Sequence, residues 1–436
     1  MIQTDDLNPM INRAMLLGVH GPRTPDGEAE ELLEELEELV ANLGIGVVDK
    51  RVVKVREPNA AFLLGSGKVE EIAEEIRLKE CDSLIFDEPL SPGQQRNWEK
   101  HLGGKVLVID RQEIILDIFN SRAQTKEASL QVELARLEYE LPRMKRAWSH
   151  LDRQRGGGAV QRDAGETQLE MDQRMIRQRI SRLKKELTEV LQHREVQRKR
   201  RSRVPLPTAS IVGYTNAGKS SMLNRLTESE VLAEDKLFAT LDPTTRRATL
   251  PSGQTLLLTD TVGFIRRLPH RLVEAFKATL EEAVVATFLI HVLDASSVDV
   301  LKHYETTMNV LKELGADDKT IVTVFNKVDA VEDRMELAML RHDHPEAHFV
   351  SVKTGEGLDA LLKRCDECIE GWGQPVELMI PHDRYDIVNR LHEAGAVSRK
   401  EILDEGVHIE GTIPLRLLDP VKPFLVNGSG RANVSV

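Results

Sequence analysis

An apolar run, Ala209-Ser210-Ile211-Val212, leads directly into Gly213-Tyr214-Thr215-Asn216-Ala217-Gly218-Lys219-Ser220 and then into the helical pattern Ser221-Met222-Leu223-Asn224-Arg225-Leu226. Strand, glycine loop and helix follow one another in the spacing G-x-x-x-x-G-K-[ST]. The glycines let backbone N–H groups turn toward one anion, the lysine reaches β- and γ-phosphates, the hydroxyl suits Mg²⁺, and the helix start adds its dipole. A glycine turn between strand and helix could match this spacing by chance, so the reading depends on partners further along the chain. If they are present, the chain must build an α/β domain around a phosphate-binding turn.

Length and composition set the frame for that domain. A chain of 436 residues exceeds what one hydrophobic core serves and suits about three domains. With 41% apolar and 30% charged residues, it reads as globular rather than disordered or fibrous. Three cysteines give no disulfide framework and suit a reducing compartment. Cys365 and Cys368 form a C-x-x-C, but they lie on an apolar helical stripe with Leu358, Leu361, Leu362 and Ile369, so core packing is expected rather than zinc or redox chemistry. The start, Met1-Ile2-Gln3-Thr4-Asp5-Asp6, lacks the basic and apolar segments of a signal peptide, and no run approaches membrane-spanning length. A cytoplasmic protein is expected.

Charge is distributed unevenly. Arg143 to Arg203 holds eighteen Lys/Arg against eight Asp/Glu, a local balance of +10 in a chain of net charge −12. Such a segment is either a polyanion-binding surface, because phosphate neutralisation is local, or a solvated helical face.

Four regions follow. Residues 1–120 alternate short apolar runs with helical patterns, which predicts an N-terminal α/β domain with a largely parallel sheet. Within it Gly65-Ser66-Gly67-Lys68 reads as a glycine turn into a helix, with a nucleotide or RNA-phosphate contact as the alternative. Residues 121–203 predict a helical hairpin: Leu130, Leu134, Leu137, Leu141, Met144, Trp148 and Leu151 form one stripe, interrupted by Pro142, and Leu169, Ile176, Ile180, Leu183, Leu187 and Val190 another. Between them Gly156 to Thr167 is expected to be a glycine-rich loop, with Arg153, Arg155 and Arg162 as RNA-contact candidates. Residues 204–372 hold the phosphate loop, and 373–436 suggest a small α+β domain.

The partners lie downstream. Asp260-Thr261-Val262-Gly263 ends an apolar strand, where the Asp can hold Mg²⁺ through water and the Gly offers an N–H to a γ-phosphate. Phe238-Ala239-Thr240-Leu241-Asp242 precedes the second strand, and Thr240 there can ligate Mg²⁺ and sense that phosphate, with Thr244 and Thr245 as competitors. Asn326-Lys327-Val328-Asp329 follows a further strand, and Asp329 can accept two hydrogen bonds from the guanine edge, which adenine cannot supply. Ser351-Val352-Lys353 would close over the base. Four signals in order on the right elements exclude a chance match and select a guanine nucleotide.

On these motifs, together with Gly165-Glu166-Thr167-Gln168-Leu169-Glu170 upstream, residues 208 to 370 resemble a Ras-like P-loop GTPase domain and the whole chain resembles the HflX family of ribosome-associated GTPases. The resemblance implies binding to the large ribosomal subunit, with the hairpin tip reaching toward the peptidyl transferase centre, and splitting of stalled or idle ribosomes in the GTP state. It also selects Thr240 over Thr244. The reading that follows is a monomeric, Mg²⁺-dependent GTPase in which Lys219, Thr240 and Gly263 serve the transferred phosphoryl, Ser220 and Thr240 ligate Mg²⁺, and Asp260 positions it through water. Phe264 stands where Ras-like proteins carry a water-orienting Gln, so slow intrinsic turnover, accelerated by the ribosome, is expected. Asn216 is either a K⁺ ligand or a loop-capping amide. Arg162-Asp163-Ala164-Gly165 departs from the family's Arg-Gly-Pro-Gly and places an acid at the tip, which is expected to weaken the tip's contact with rRNA. The rival readings are a dormancy factor using GTP as a structural ligand, and an ATP-driven RNA remodeller working through the N-terminal domain.

Overall fold

The structure, a computed structural model, describes residues 11–22, 24–144, 162–201, 206–227, 237–238, 240–267, 282–369, 373–393, 396–397 and 399–426. The chain forms two compact units: residues 1–190 with 236–238 and 268–275, and residues 191–235, 239–267 and 276–436.

The first unit carries a sheet in the order β2-β1-β3-β4, from β1 (Arg13–His20), β2 (Gly46–Lys54), β3 (Ser83–Phe86) and β4 (Leu107–Asp110), all parallel. Helices on a parallel sheet bury both faces, and β3, with Leu84, Ile85 and Phe86 after Ser83, is accordingly buried along its length. The connecting helices α1 (Glu28–Asn42) and α2 (Ser66–Leu78) turn apolar stripes inward, as with Leu32, Leu33, Leu36, Leu39 and Val40 of α1, whereas α3 (Pro92–His101) buries Trp98 together with Gln95 and Glu99. Local chemistry sets their starts. Ser91 and Gln94 form a capping box at α3, and the Asp110 carboxylate caps α4 (Arg111–Arg122) by accepting from the amides of Gln112 and Glu113.

Helix α5 (Lys126–Glu140) ends in a 3₁₀ turn, Leu141–Arg143, because Pro142 cannot continue the α ladder. It pairs with α6 (Arg162–Arg201) through Leu130, Leu134 and Leu137 against Ile180, Leu183, Leu187 and Val190, flanked by Arg179–Glu133 and Lys184–Glu138 ion pairs. Trp148 and Leu151 of the expected stripe lie outside the described residues. One expectation is corrected: Arg162 to Thr167, read as loop, are already helical. A single glycine, Gly165, costs about 1 kcal/mol relative to Ala, too little to end a helix otherwise made of strong formers.

The second unit holds a six-stranded sheet in the order β10-β9-β8-β5-β7-β6. Its strands are β5 (Thr208–Gly213), β6 (Thr244–Thr249), β7 (Thr255–Asp260), β8 (Phe288–Asp294), β9 (Ile321–Asn326) and β10 (His348–Phe349). All pair in parallel except β6, which forms an antiparallel hairpin with β7. Helices α7 (Lys219–Thr227), α8 (Val300–Glu313), α9 (Arg334–Asp343) and α10 (Leu358–Cys368) surround it. Cys365 and Cys368 belong to the core on one side of this sheet, with Met222, Leu223 and Leu361, and burial pushes the Cys365 thiol up to about 12. The three cysteines are free.

At the end of the chain β11 (Gly373–Ile380), β12 (Arg399–Leu403) and β13 (Gly406–Pro414) form an antiparallel sheet with β13 in the middle. Helix α11 (Tyr385–Glu393) sends Ile387, Val388 and Leu391 into its core. Among the described residues no helix is long and apolar enough to cross a membrane.

Candidate nucleotide-binding site

Strand β5 ends at Gly213, whose φ of 148° and close approach to Val292 O, 2.1 Å from any Cβ placed there, admit only glycine. Gly218 is equally constrained, with φ 93° and the Asn326 amide 2.3 Å from a built Cβ. Asn216 takes the left-handed conformation at φ 59°, which Asn tolerates, and is exposed. Helix α7 then starts at Lys219, so the loop amides and the positive end of a helix converge.

Lys219 is 7% exposed, and its Nζ donates to Tyr214 O at 2.7 Å. Burial lowers its pKa to about 8, with the Asp260 carboxylate opposing the shift. Beside it three oxygens meet. The Ser220 and Thr240 hydroxyls donate to Asp260 Oδ2 at 2.6 and 2.8 Å and lie 2.7 Å from each other. Asp260 is fully buried, and burial pushes its carboxyl up against the pull of Lys219 and the two hydroxyls. Its Oδ1 is buried with no hydrogen-bond partner among the described residues. Two hydroxyls and a carboxylate are hard oxygen donors of the kind Mg²⁺ takes together with waters and phosphate oxygens. No cluster of three His, Cys, Asp or Glu side chains suited to a metal occurs among the described residues, so a cation here would depend on these hydroxyls and on the nucleotide.

The competing threonines are elsewhere: Thr245 Oγ1 pairs with Thr259 Oγ1 at 2.9 Å across the hairpin, and Thr244 Oγ1 faces Asp242 O at 3.5 Å. Leu237 and Phe238 group with the first unit, where Asn42 Nδ2 donates to Leu237 O at 2.8 Å and the Phe238 ring meets Phe119 at a centroid distance of 4.6 Å. Leu241 is buried, and Ala239 lies outside the described residues.

After Asp260, Thr261 Oγ1 donates to Ile211 O at 2.7 Å and Val262 is buried. A Cβ on Gly263 would fall 2.8 Å from Lys219 Nζ and 2.9 Å from Thr215 Cα. Phe264 N–H donates to Gly213 O at 3.0 Å, Thr215 N–H donates to Phe264 O at 2.8 Å, and the Phe264 ring is buried.

The opposite end is built on β9. Asn326 Nδ2 donates to Ala217 O at 2.9 Å and its Oδ1 accepts from Val352 N–H at 3.1 Å, so one side chain ties the phosphate loop to the loop after β10. Lys327 is left-handed at φ 62°, with Nζ 2.7 Å from Asp294 Oδ2. Val328 is buried, Asp329 is exposed with Oδ1 accepting from Ser351 Oγ at 2.6 Å, and Lys353 is exposed.

Comparison with known families agrees with this geometry. Residues 30–120 match the family described as GTP-binding GTPase N-terminal, 122–201 the GTP-binding GTPase Middle Region, and 208–327 the 50S ribosome-binding GTPase. GTPase HflX of Akkermansia muciniphila is 49% identical over 98% of this chain and 100% of its own length. The Chlamydia pneumoniae GTPase HflX is 44% identical over 95% and 88%, and the Escherichia coli one 40% identical over 92% and 93%. The chain belongs to the HflX GTPase family. It binds guanine nucleotide and hydrolyses GTP.

Other candidate residues on this HflX chain have plainer surroundings. Gly65 precedes the first turn of α2, and Lys68 is paired with Glu71. Arg153 and Arg155 lie outside the described residues, and Arg162 is the first residue of α6. Sequence reasoning missed the contacts of Tyr214, whose ring stacks on His303 at 3.8 Å and whose hydroxyl accepts from Arg266 N–H at 2.8 Å. It also missed the fully buried His291. An aromatic inside a phosphate loop and a histidine inside an apolar strand were the available signals.

Proposed function

We propose that this HflX GTPase is a cytoplasmic, nucleotide-controlled factor of the large ribosomal subunit, gripping it in the GTP form, splitting stalled or idle ribosomes, and leaving on hydrolysis. The observation that carries the switch is the meeting of Ser220 and Thr240 at one Asp260 oxygen. Thr240 lies in the segment between helix and hairpin, so its hydroxyl can report what occupies the phosphate end of the site. Ser220, Thr240 and, through water, Asp260 would hold Mg²⁺, which neutralises phosphate charge when bound. Lys219 and the loop amides stabilise charge on the transferred phosphoryl, and the Gly263 N–H adds a donor for it. Asp329 selects guanine, with the Ser351-Val352-Lys353 loop beside it. Asn216, exposed in the phosphate loop, is a candidate K⁺ ligand, with loop capping by its amide as the alternative.

Ribosome association is supported by the basic segment Arg143 to Arg203 and by the 50S ribosome-binding description of the matched family. Arg153, Arg155 and Arg162 are the proposed rRNA contacts.

The test measures GTP turnover and subunit dissociation with and without intact ribosomes, for wild type, Lys219→Ala and Asp329→Asn. Ribosome-stimulated turnover and GTP-dependent splitting, both lost in the variants, support the reading. Binding to the large subunit with neither response would replace it with a nucleotide-stabilised binding factor.

A further inference from the structure

We propose that His303, on α8, and Asp299, at its N-cap, are positioning residues for GTP hydrolysis, acting on the Gly263–Arg266 segment through Tyr214 and Arg266. The GTPase activity is taken as given, and His303 and Asp299 lie outside the nucleotide motifs.

Four observations combine. First, the Tyr214 ring lies flat on His303, at a centroid distance of 3.8 Å and an interplanar angle of 13°. Second, the Tyr214 hydroxyl accepts the backbone N–H of Arg266 at 2.8 Å. Third, the Arg266 guanidinium is 3.6 Å from Asp299, which also pairs with Lys302 at 3.0 Å. Fourth, Phe264 exchanges two backbone hydrogen bonds with the phosphate loop, through Gly213 O and Thr215 N–H. Asp299 and His303 are four residues apart at the start of a helix and therefore share a face. One takes the side chain of Arg266, and the other carries the aromatic ring that takes its backbone.

Simple burial does not account for this arrangement. A core position would be filled equally well by Phe, yet Tyr214 spends its hydroxyl on a backbone amide three residues past Gly263. The segment is thereby held at Phe264 by the backbone pairs and at Arg266 by the Tyr214 clamp, and Gly263 lies beside Lys219. A donor contributes to the transition state in proportion to how well it is placed beforehand. A misplacement of about 1 Å can cost about 100-fold in rate. Loosening the clamp should therefore act on kcat, where a γ-phosphate is being transferred, and leave GDP, which lacks one, bound as before.

The experiment compares full-length wild type with Tyr214→Phe, His303→Ala, His303→Phe and Asp299→Asn, using single-turnover GTP hydrolysis, steady-state kinetics and binding of a fluorescent GDP analogue. We expect Tyr214→Phe and His303→Ala to lower kcat about tenfold with GDP affinity within about twofold, and His303→Phe, which keeps a flat ring, to restore most of the rate. Asp299→Asn should lie between. Unchanged kcat in both Tyr214→Phe and His303→Ala overturns the proposal. So does a fall in GDP affinity matching the fall in rate, which would mean general collapse of the pocket, or a rise in kcat, which would mean restraint instead of positioning. Should His303→Ala not fold, Tyr214→Phe, which removes one oxygen, decides alone.

Discussion

Thr240 Oγ1 stands 2.8 Å from Asp260 Oδ2. The hairpin makes this possible: Thr240 leads into β6, Asp260 closes β7, and the antiparallel register sets Thr244 opposite Asp260, so both ends return to the same place. In the proposed switch a hydroxyl placed there serves the γ-phosphate end of the nucleotide. Removing it in Thr240→Ala should lower kcat for GTP by about 10- to 100-fold, the range for groups that support a metal site. Affinity for GDP should hardly change. Thr240→Ser should recover most activity, and equal losses of GTP and GDP affinity in Thr240→Ala would remove the residue from the switch role.

Asp329 presents an exposed carboxylate whose Oδ1 accepts from Ser351 Oγ. A carboxylate can accept from two donors on one edge of guanine, whereas an amide must offer at least one N–H of its own. Asp329→Asn should weaken GTP and GDP equally, by about 10²- to 10⁴-fold, because a paired charged acceptor is lost in a site built for it. Xanthine nucleotides, which offer a carbonyl in place of the amino group, should gain. Titration of both nucleotide families against wild type and variant tests this, and unchanged GTP affinity would count against the base-selecting role.

Most of this site could be read from the sequence because its motifs are local. Gly213 to Ser220, Asp260 to Gly263 and Asn326 to Asp329 each end a strand, and periodicity alone located those strands; even α11 runs from Tyr385 to Glu393 as its pattern implied. What could not be read were contacts between segments far apart in the chain. Tyr214 reaches His303, and Phe238 reaches Phe119, because of how sheets and helices pack, and no local pattern encodes such partners. The start of α6 was misplaced for the opposite reason: glycine-rich composition resembled a loop, while the helix tolerated Gly165.

Gly263 offers a sharper test of the phosphate end. A methyl there would fall 2.8 Å from Lys219 Nζ and 2.9 Å from Thr215 Cα, and the second of these is backbone that cannot swing aside. The segment must therefore move, taking its N–H away from the phosphate side. Gly263→Ala should lose about 100-fold or more in kcat, the cost of one misplaced transition-state donor, while GDP binding persists. Normal turnover in this variant would show that the Gly263 amide is not used.

His291 sets an acid limit on stability. It is fully buried on β8, both ring nitrogens lack hydrogen-bond partners among the described residues, and its ring stacks against Tyr304 at 5.2 Å. Burial, with nearby Lys219 adding to it, pushes the pKa down from 6.5 to about 3. Above pH 6.5 neither folded nor unfolded chain binds this proton, so stability is unaffected. Below it the unfolded chain gains a proton that the folded chain refuses, so stability falls as pH drops from 6.5 toward 3. At about 1.4 kcal/mol per pH unit, roughly 2 kcal/mol should be lost between pH 6.5 and pH 5. His291→Phe cannot take that proton in either state and keeps an aromatic ring against Tyr304. Denaturant midpoints for wild type and His291→Phe, measured at pH 7 and pH 5, cancel every other titrating group in their difference. The variant should gain about 2 kcal/mol on wild type at the lower pH, and a difference that stays constant with pH would mean that His291 takes up its proton as readily in the folded chain as in the unfolded one.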